Sequence, residues 1–254
     1  MNIDEQRKQL LNNGYSVQFY TDEKISELWS QEMNGKLKYK DKYSLDVELC
    51  GFYAQNTVAD YLWKSMHMEG IAITYRDAHD LCEGKTVQGL SVEDVIVANN
   101  LKHAWLFMLD ALWCETDCSF ICELNRKIGD NVNYLPGVLV NKPMIIDKIP
   151  LISDLPIKLQ VQEELDCILR SKKSKTEIAL DLLAYITIRN LFADGNKRTA
   201  ILVANHYLIR NGVGLLSISI EDQLKFCSIL LSFYESGDSY ELKRFLYDNC
   251  ISSY

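Results

Sequence analysis

A chain of 254 residues, 48% of them hydrophobic, can bury one large core, and four prolines with twelve glycines leave little room for a flexible linker. A formal net charge of −8 argues against a broad nucleic-acid surface, although local basic residues can still hold a small anion. No apolar run nears the roughly 20 residues that a bilayer span needs, and the polar start MNIDEQRKQLLNNG lacks a signal-peptide core, so a cytoplasmic protein with reduced cysteines is expected.

Residues 1–40 read as an N-terminal helical extension, with a helix over 22–34 capped by Thr21 or Asp22 and closed at Gly35. From 44 to 68, Leu45, Leu49, Phe52, Val58, Tyr61 and Leu62 form an apolar stripe interrupted by Gly51. This segment ends in SMHMEG, 65–70, where Gly70 suits a helix C-cap. A short helix over 76–84 follows, and then a strong one over 91–113. The latter is opened by a capping-box-like Ser91 and Asp94 and buries Leu101, Ala104, Trp105, Met108, Leu109 and Leu112.

Cys114, Cys118 and Cys122 are spaced four apart, which on a helix would stack them along one face. Zinc sites usually begin from a two-residue gap, so these are read as buried small residues. His67, His79, His103 and His206 are read as structural. After a helix over 118–129, the segment YLPGVLVNKPMII, 134–146, predicts a small β-hairpin, because apolar and β-branched residues flank Pro136-Gly137 and Asn141-Lys142. Helical periodicity then continues over 154–170, 176–192, 196–211, 221–236 and 240–248. The expected fold is mainly α, with one hairpin flap.

Between two of those helices lies NLFADGNKRTA, 190–200. Gly195 can take a positive φ that lets backbone N–H groups converge, and Lys197 and Arg198 fall in the first turn of a helix whose N-terminus favours phosphate. Asp194 is the one carboxylate of the stretch and a hard oxygen ligand suited to Mg²⁺. Asp-Gly-Asn is also an ordinary helix stop and N-cap, and a basic pair in a turn is often only solvated.

This stretch resembles the active-site motif of the Fic/Doc family, H-x-F-x-[D/E]-[G/A]-N-x-R, with Phe192, Asp194, Gly195, Asn196 and Arg198 on matching positions. The family's histidine position holds Asn190. The resemblance implies a Fic-type helical bundle over 41–254 that binds ATP and Mg²⁺. Asp194 would hold the metal; the amides around Gly195 to Lys197, together with Asn196 and Arg198, would hold the phosphates. The activity implied is transfer of AMP, or of phosphate as in Doc-like members with Lys197, to a protein hydroxyl. The target protein would dock on the flap 134–146. Asn190 cannot act as a base at neutral pH, and loss of general-base assistance typically removes about 10² to 10⁴-fold in rate. A non-catalytic nucleotide-binding regulator or an interaction protein is the alternative.

Upstream, Ser65, Glu69 and Gly70 match the inhibitory pattern [S/T]-x-x-x-E-[G/N] that in some family members sets a glutamate against an active-site arginine. The position expected for that arginine holds Ile201, so Lys197 or Arg198 is expected to pair with Glu69 instead. Regulation of some relatives as dimers makes a homodimer compatible with the resemblance.

Overall fold

The computed structural model describes residues 18–19, 39–139, 144–146, 149–152 and 158–253; the helix expected over 22–34 lies outside them. The helices are α1 (Val47–Asn56), α2 (Val58–Met68), α3 (Tyr75–Cys82), α4 (Val92–Asp110), α5 (Cys118–Gly129), α6 (Lys158–Leu169), α7 (Lys175–Arg189), α8 (Asn196–Arg210), α9 (Ile220–Ser236) and α10 (Tyr240–Phe245). The last of these runs on into a π-helical turn, Leu246–Cys250. The mainly α expectation holds. Among the described residues no helix is long and apolar enough to cross a membrane.

The antiparallel pair α7–α8 forms the centre. Every residue of α7 from Thr176 to Arg189 is buried, charged ones included. Isolated charges would be costly there, and each is paired. Asp181 lies 2.7 Å from Lys173 and 2.5 Å from Lys243 of α10, while Arg189 reaches Glu164 of α6 at 3.1 Å. Around this pair, Trp105 of α4 stacks on Tyr61 of α2 with ring centroids 4.3 Å apart and donates its indole N–H to the carbonyl of Ala54 at 2.9 Å. Two short strands, β4 (Leu215–Leu216) and β5 (Ile251–Ser252), pair antiparallel and bring the residues after α10 back against those after α8.

Several boundaries differ from expectation. The helix expected over 44–68 is two, broken at Thr57 (φ −97°, ψ 10°) rather than at Gly51. Thr57 donates from both its hydroxyl and its backbone N–H to carbonyls of the preceding turn and so ends α1. Asp46 caps α1, and Ser91 with Asp94 forms the anticipated capping box of α4. Cys118 and Cys122 share α5, whereas Cys114 lies in the turn before it, because Asp117 caps the helix.

The hairpin is displaced from 134–146. Its strands are β2 (Met144–Ile146) and β3 (Ile149–Ile152), with Met144 opposite Leu151 and Ile146 opposite Ile149. A further strand, β1 (Gln18–Phe19), runs parallel to β3 on its other edge. The two strands contain Ile145, Ile146, Ile149 and Ile152, β-branched residues that favour such pairing. Pro136-Gly137 makes a different turn, one that lies against α5, and Leu139 then forms an isolated antiparallel bridge with Phe192.

Candidate functional site

The segment 190–195 is a tight loop between the two central helices. Asn190 ends α7 in the left-handed conformation (φ 49°, ψ 55°), which asparagine tolerates better than most residues, and its backbone N–H bonds to the carbonyl of Ile186. The helix therefore stops before 192. Asn196, buried at the start of α8, closes the loop from within. Its Oδ1 accepts the N–H of Phe192 at 2.9 Å, and its Nδ2 donates to the carbonyl of Phe192 at 2.7 Å and to Oδ1 of Asn190 at 2.6 Å. Its carboxamide thus shapes the loop rather than reaching outward, and the Asn190 side chain is held beneath it.

Gly195 precedes α8 at φ 78°, and no side chain caps that helix. The first-turn N–H groups of α8 are left to other acceptors, and Lys197 and Arg198 add charge at the same end. These residues open on a cavity of about 330 Å³ lined by Glu69, Asp194 to Arg198, and Cys227, Leu230, Leu231 and Tyr234 of α9. One wall is therefore cationic and rich in donors, and the other apolar.

Glu69 follows the last turn of α2. Its carboxylate lies 3.5 Å from Nζ of Lys197 and 3.4 Å from Nε of Arg198, and Lys197 also donates to the carbonyl of Met68 at 3.3 Å. The ion pair anticipated in place of one at 201 is present, on both cations. An arriving phosphate would compete with Glu69 for both of them. Arg198 is largely buried and also holds Asp194 at 3.0 Å, whose side chain is 57% exposed at the cavity rim.

Ser65 does not join this group. It bonds to Tyr61, whose hydroxyl burial pushes well above its ordinary range. It lines a separate cavity of about 220 Å³ on another side of α2, together with Lys64, Met68, Trp105 and Ile201. Only its carbonyl meets Glu69, accepting the backbone N–H at 3.2 Å. His206, about two turns beyond the motif, is fully buried, bonded to Thr116 and to the carbonyl of Ala111, and held neutral by burial, which lowers it to about 4. His67 bonds the carbonyl of Ile73 at 2.7 Å, and His103 is exposed.

Two contributors escaped the sequence reading. The α9 wall resembles any core stripe in sequence, and nothing in its spacing separates a cavity lining from a helix interface. Asn125 of α5 is buried and donates Nδ2 to the carbonyl of Asp194 at 2.9 Å and to Oγ1 of Thr199 at 3.1 Å, while its Oδ1 accepts the N–H of Gly137 at 2.9 Å. No local pattern marks such a residue.

No protein-family model matches the chain, and no curated protein is similar to it at a significant level. Solved structures do match. Fic-1 from C. elegans superposes with a TM-score of 0.63 at 16% identity, covering 96% of this chain and 69% of that one. A Fic domain containing signaling protein from Bacteroides thetaiotaomicron gives a TM-score of 0.55 at 24% identity, covering 82% of this chain and 80% of that one. A Fic family protein from Desulfovibrio desulfuricans gives 0.60 at 12% identity, covering 88% and 70%. With its central helix pair, interposed loop and hairpin, the chain has the fold of the Fic-domain proteins.

Proposed function

We propose that the loop between α7 and α8 binds a nucleoside triphosphate, ATP with Mg²⁺, and that the chain is a cytoplasmic Fic/Doc-type protein whose transfer of AMP or phosphate to a protein hydroxyl is impaired by Asn190. The observation that carries this reading is the uncapped start of α8. There Gly195, Lys197 and Arg198 face a cavity of about 330 Å³, and the carboxylate of Glu69 sits against both cations. Backbone donors and cations at a helix N-terminus suit phosphate oxygens, and the apolar residues of α9 suit a flat base.

Mg²⁺ in nucleotide sites is typically held by one or two carboxylates together with the phosphates. Asp194, exposed at the rim, fits that donor set, and a bound ion would offset phosphate charge. Catalysis of this kind rests on positioning and electrostatics, which Lys197, Arg198 and the loop amides would supply. A neutral amide at 190 takes no proton from an attacking hydroxyl, so nucleotide is held far better than it is turned over. The target protein would lie along the hairpin β2–β3, adding a strand beside it. A homodimer is compatible with this reading.

The direct test is to restore histidine with Asn190→His and incubate with ATP labelled at the α or the γ phosphate. Label passed to protein only by Asn190→His supports impaired transfer and names the group moved. The hydrogen bond from Asn196 to Asn190 favours a second reading, a nucleotide-binding regulator in which the residue serves the loop. Intact ATP binding without label transfer from either protein would support it, and ATP with Mg²⁺ at millimolar concentration leaving the melting temperature unchanged would sink both.

A further inference from the structure

The cavity beside Ser65 is walled by one face of α2. Thr57, Asp60, Tyr61, Lys64, Ser65 and Met68 line it, recurring at the three- and four-residue spacing of a single helix face. Its other walls are Trp105 of α4, Ile201 of α8, and β4 with the residues that follow it. Close-packed interiors hold few voids larger than a water molecule, so a space of about 220 Å³ between four elements is not packing slack. It is smaller than the pockets of roughly 300–1,000 Å³ that hold drug-sized ligands, and so suits a smaller molecule. The lining is mostly apolar, with one ion pair and a few hydroxyls set into it. Lys64 donates from Nζ to Oδ2 of Asp60 at 2.7 Å and to Oγ of Ser217, just after β4, at 2.9 Å. Both charged side chains are partly exposed, so the pair stands where the cavity meets solvent.

We propose that this cavity binds a free α-amino acid with a branched aliphatic side chain, and that the bound molecule holds Glu69 against its two cations. The pairing chemistry selects a zwitterion. A ligand with only a carboxylate would draw Lys64 from Asp60 and leave that acid without its cation, and one with only an ammonium would leave Lys64 without its acid. An amino acid carries both charges on one carbon. Its ammonium can meet Asp60 while its carboxylate meets Lys64 and the Ser217 hydroxyl, so each partner lost is replaced. Its side chain would rest on the aliphatic surface of Met68, Ile201, Leu215 and Ile218. The effect on Glu69 rests on the nucleotide reading above and supplies its regulation. Met68 and Ile201 line the cavity and flank the Glu69 contact: the Met68 carbonyl accepts Nζ of Lys197 at 3.3 Å, Glu69 is the next residue, and Ile201 follows Arg198 by three on α8. A molecule seated on both keeps α2 against α8, in the arrangement that sets Glu69 on Lys197 and Arg198, and so opposes phosphate. That opposition is reciprocal.

Calorimetric titration of the full chain with L-leucine tests the site without any nucleotide. Leucine should bind, and isocaproate and isoamylamine, each carrying one of its charges on a similar branched chain, should bind at least about tenfold more weakly. Lys64→Met should lower leucine affinity by at least about tenfold, and Asp60→Asn, which keeps the native shape, should do the same even where the methionine variant does not fold. Isocaproate or isoamylamine binding as tightly as leucine, leucine binding unaltered in Asp60→Asn, or no binding of leucine at millimolar concentration overturns the site. With leucine saturating, ATP with Mg²⁺ should bind about fivefold more weakly, and the difference should vanish in Glu69→Gln. ATP affinity equal with and without leucine overturns the link to Glu69. ATP failing to bind while leucine binds sinks the nucleotide reading and leaves the amino-acid site standing.

Discussion

Replacing Glu69 with glutamine keeps the shape of the residue that follows α2 and removes one negative charge from the mouth of the loop. In the structure that charge stands 3.5 Å from Lys197 and 3.4 Å from Arg198. At an effective dielectric constant of about 20, a single pair at that distance corresponds to roughly 5 kcal/mol. Solvent cuts this heavily, because the Glu69 side chain is 21% and that of Lys197 29% exposed; measured pairs of this sort fall at about 1 kcal/mol each. Two such pairs released for phosphate, less the hydrogen bonds the glutamine retains, come to about 1.4 kcal/mol, or tenfold in affinity. Calorimetric titration with ATP and Mg²⁺ should therefore give about tenfold tighter binding to Glu69→Gln, with the gap narrowing as salt screens the partly exposed charges. Lys197→Met should weaken binding, and the double variant should depart from additivity because the two residues touch. An unchanged dissociation constant for Glu69→Gln, with an unchanged melting temperature, would refute the idea that Glu69 and phosphate compete for the same cations.

The pH dependence of stability should carry the signature of His206. Burial lowers it to about 4 from an ordinary 6.5, so the unfolded chain takes up the proton first as pH falls. Its contribution is full above pH 6.5 and is lost between there and about 4, on the order of 3 kcal/mol. An NMR titration of the ring with a midpoint near 6.5 would contradict this. Lys243→Met leaves Asp181, fully buried, with only part of its compensation, and should lower stability by about 3 kcal/mol; urea unfolding within about 0.5 kcal/mol of the parent would show that the pair carries no such weight. Asn196→Ala removes three hydrogen bonds that close the 190–195 loop and should abolish ATP binding while costing about 2 kcal/mol in stability. Retained binding in a titration would mean that the loop holds its shape without the asparagine.

The central helix pair and its loop were readable because local chemistry and tertiary role coincide there: a glycine that must bend, a cationic pair after it and apolar periodicity on both sides. Thr57 was not readable as a break, since one residue serves as the end of α1 and the start of α2 while the apolar stripe runs on past it. Pro136-Gly137 carries genuine turn chemistry, but the turn is shaped by contact with Cys122 and Arg126 of α5, and the hairpin forms further on among the isoleucines. The end of α7, at Arg189, was placed three residues late because nothing in the sequence separates an asparagine in the left-handed region from one inside a helix. Asn125 and the α9 wall could not be recovered at all, because each acquires its role from segments distant in the chain that only the folded packing brings near.

The placement of Asp181 has a consequence for how the polypeptide reaches its native state. This carboxylate sits in the middle of a helix buried on every side, and one of its cations is Lys243 of α10, well downstream of it in sequence. While the ribosome is still synthesising α10, the inner helix lacks half of the charge that lets it leave water, and its all-round burial offers no polar face on which to wait. Nascent chains halted before Lys243 should remain open to protease and to chaperones, and the inner helix should close together with α10 in one cooperative step rather than segment by segment as it emerges.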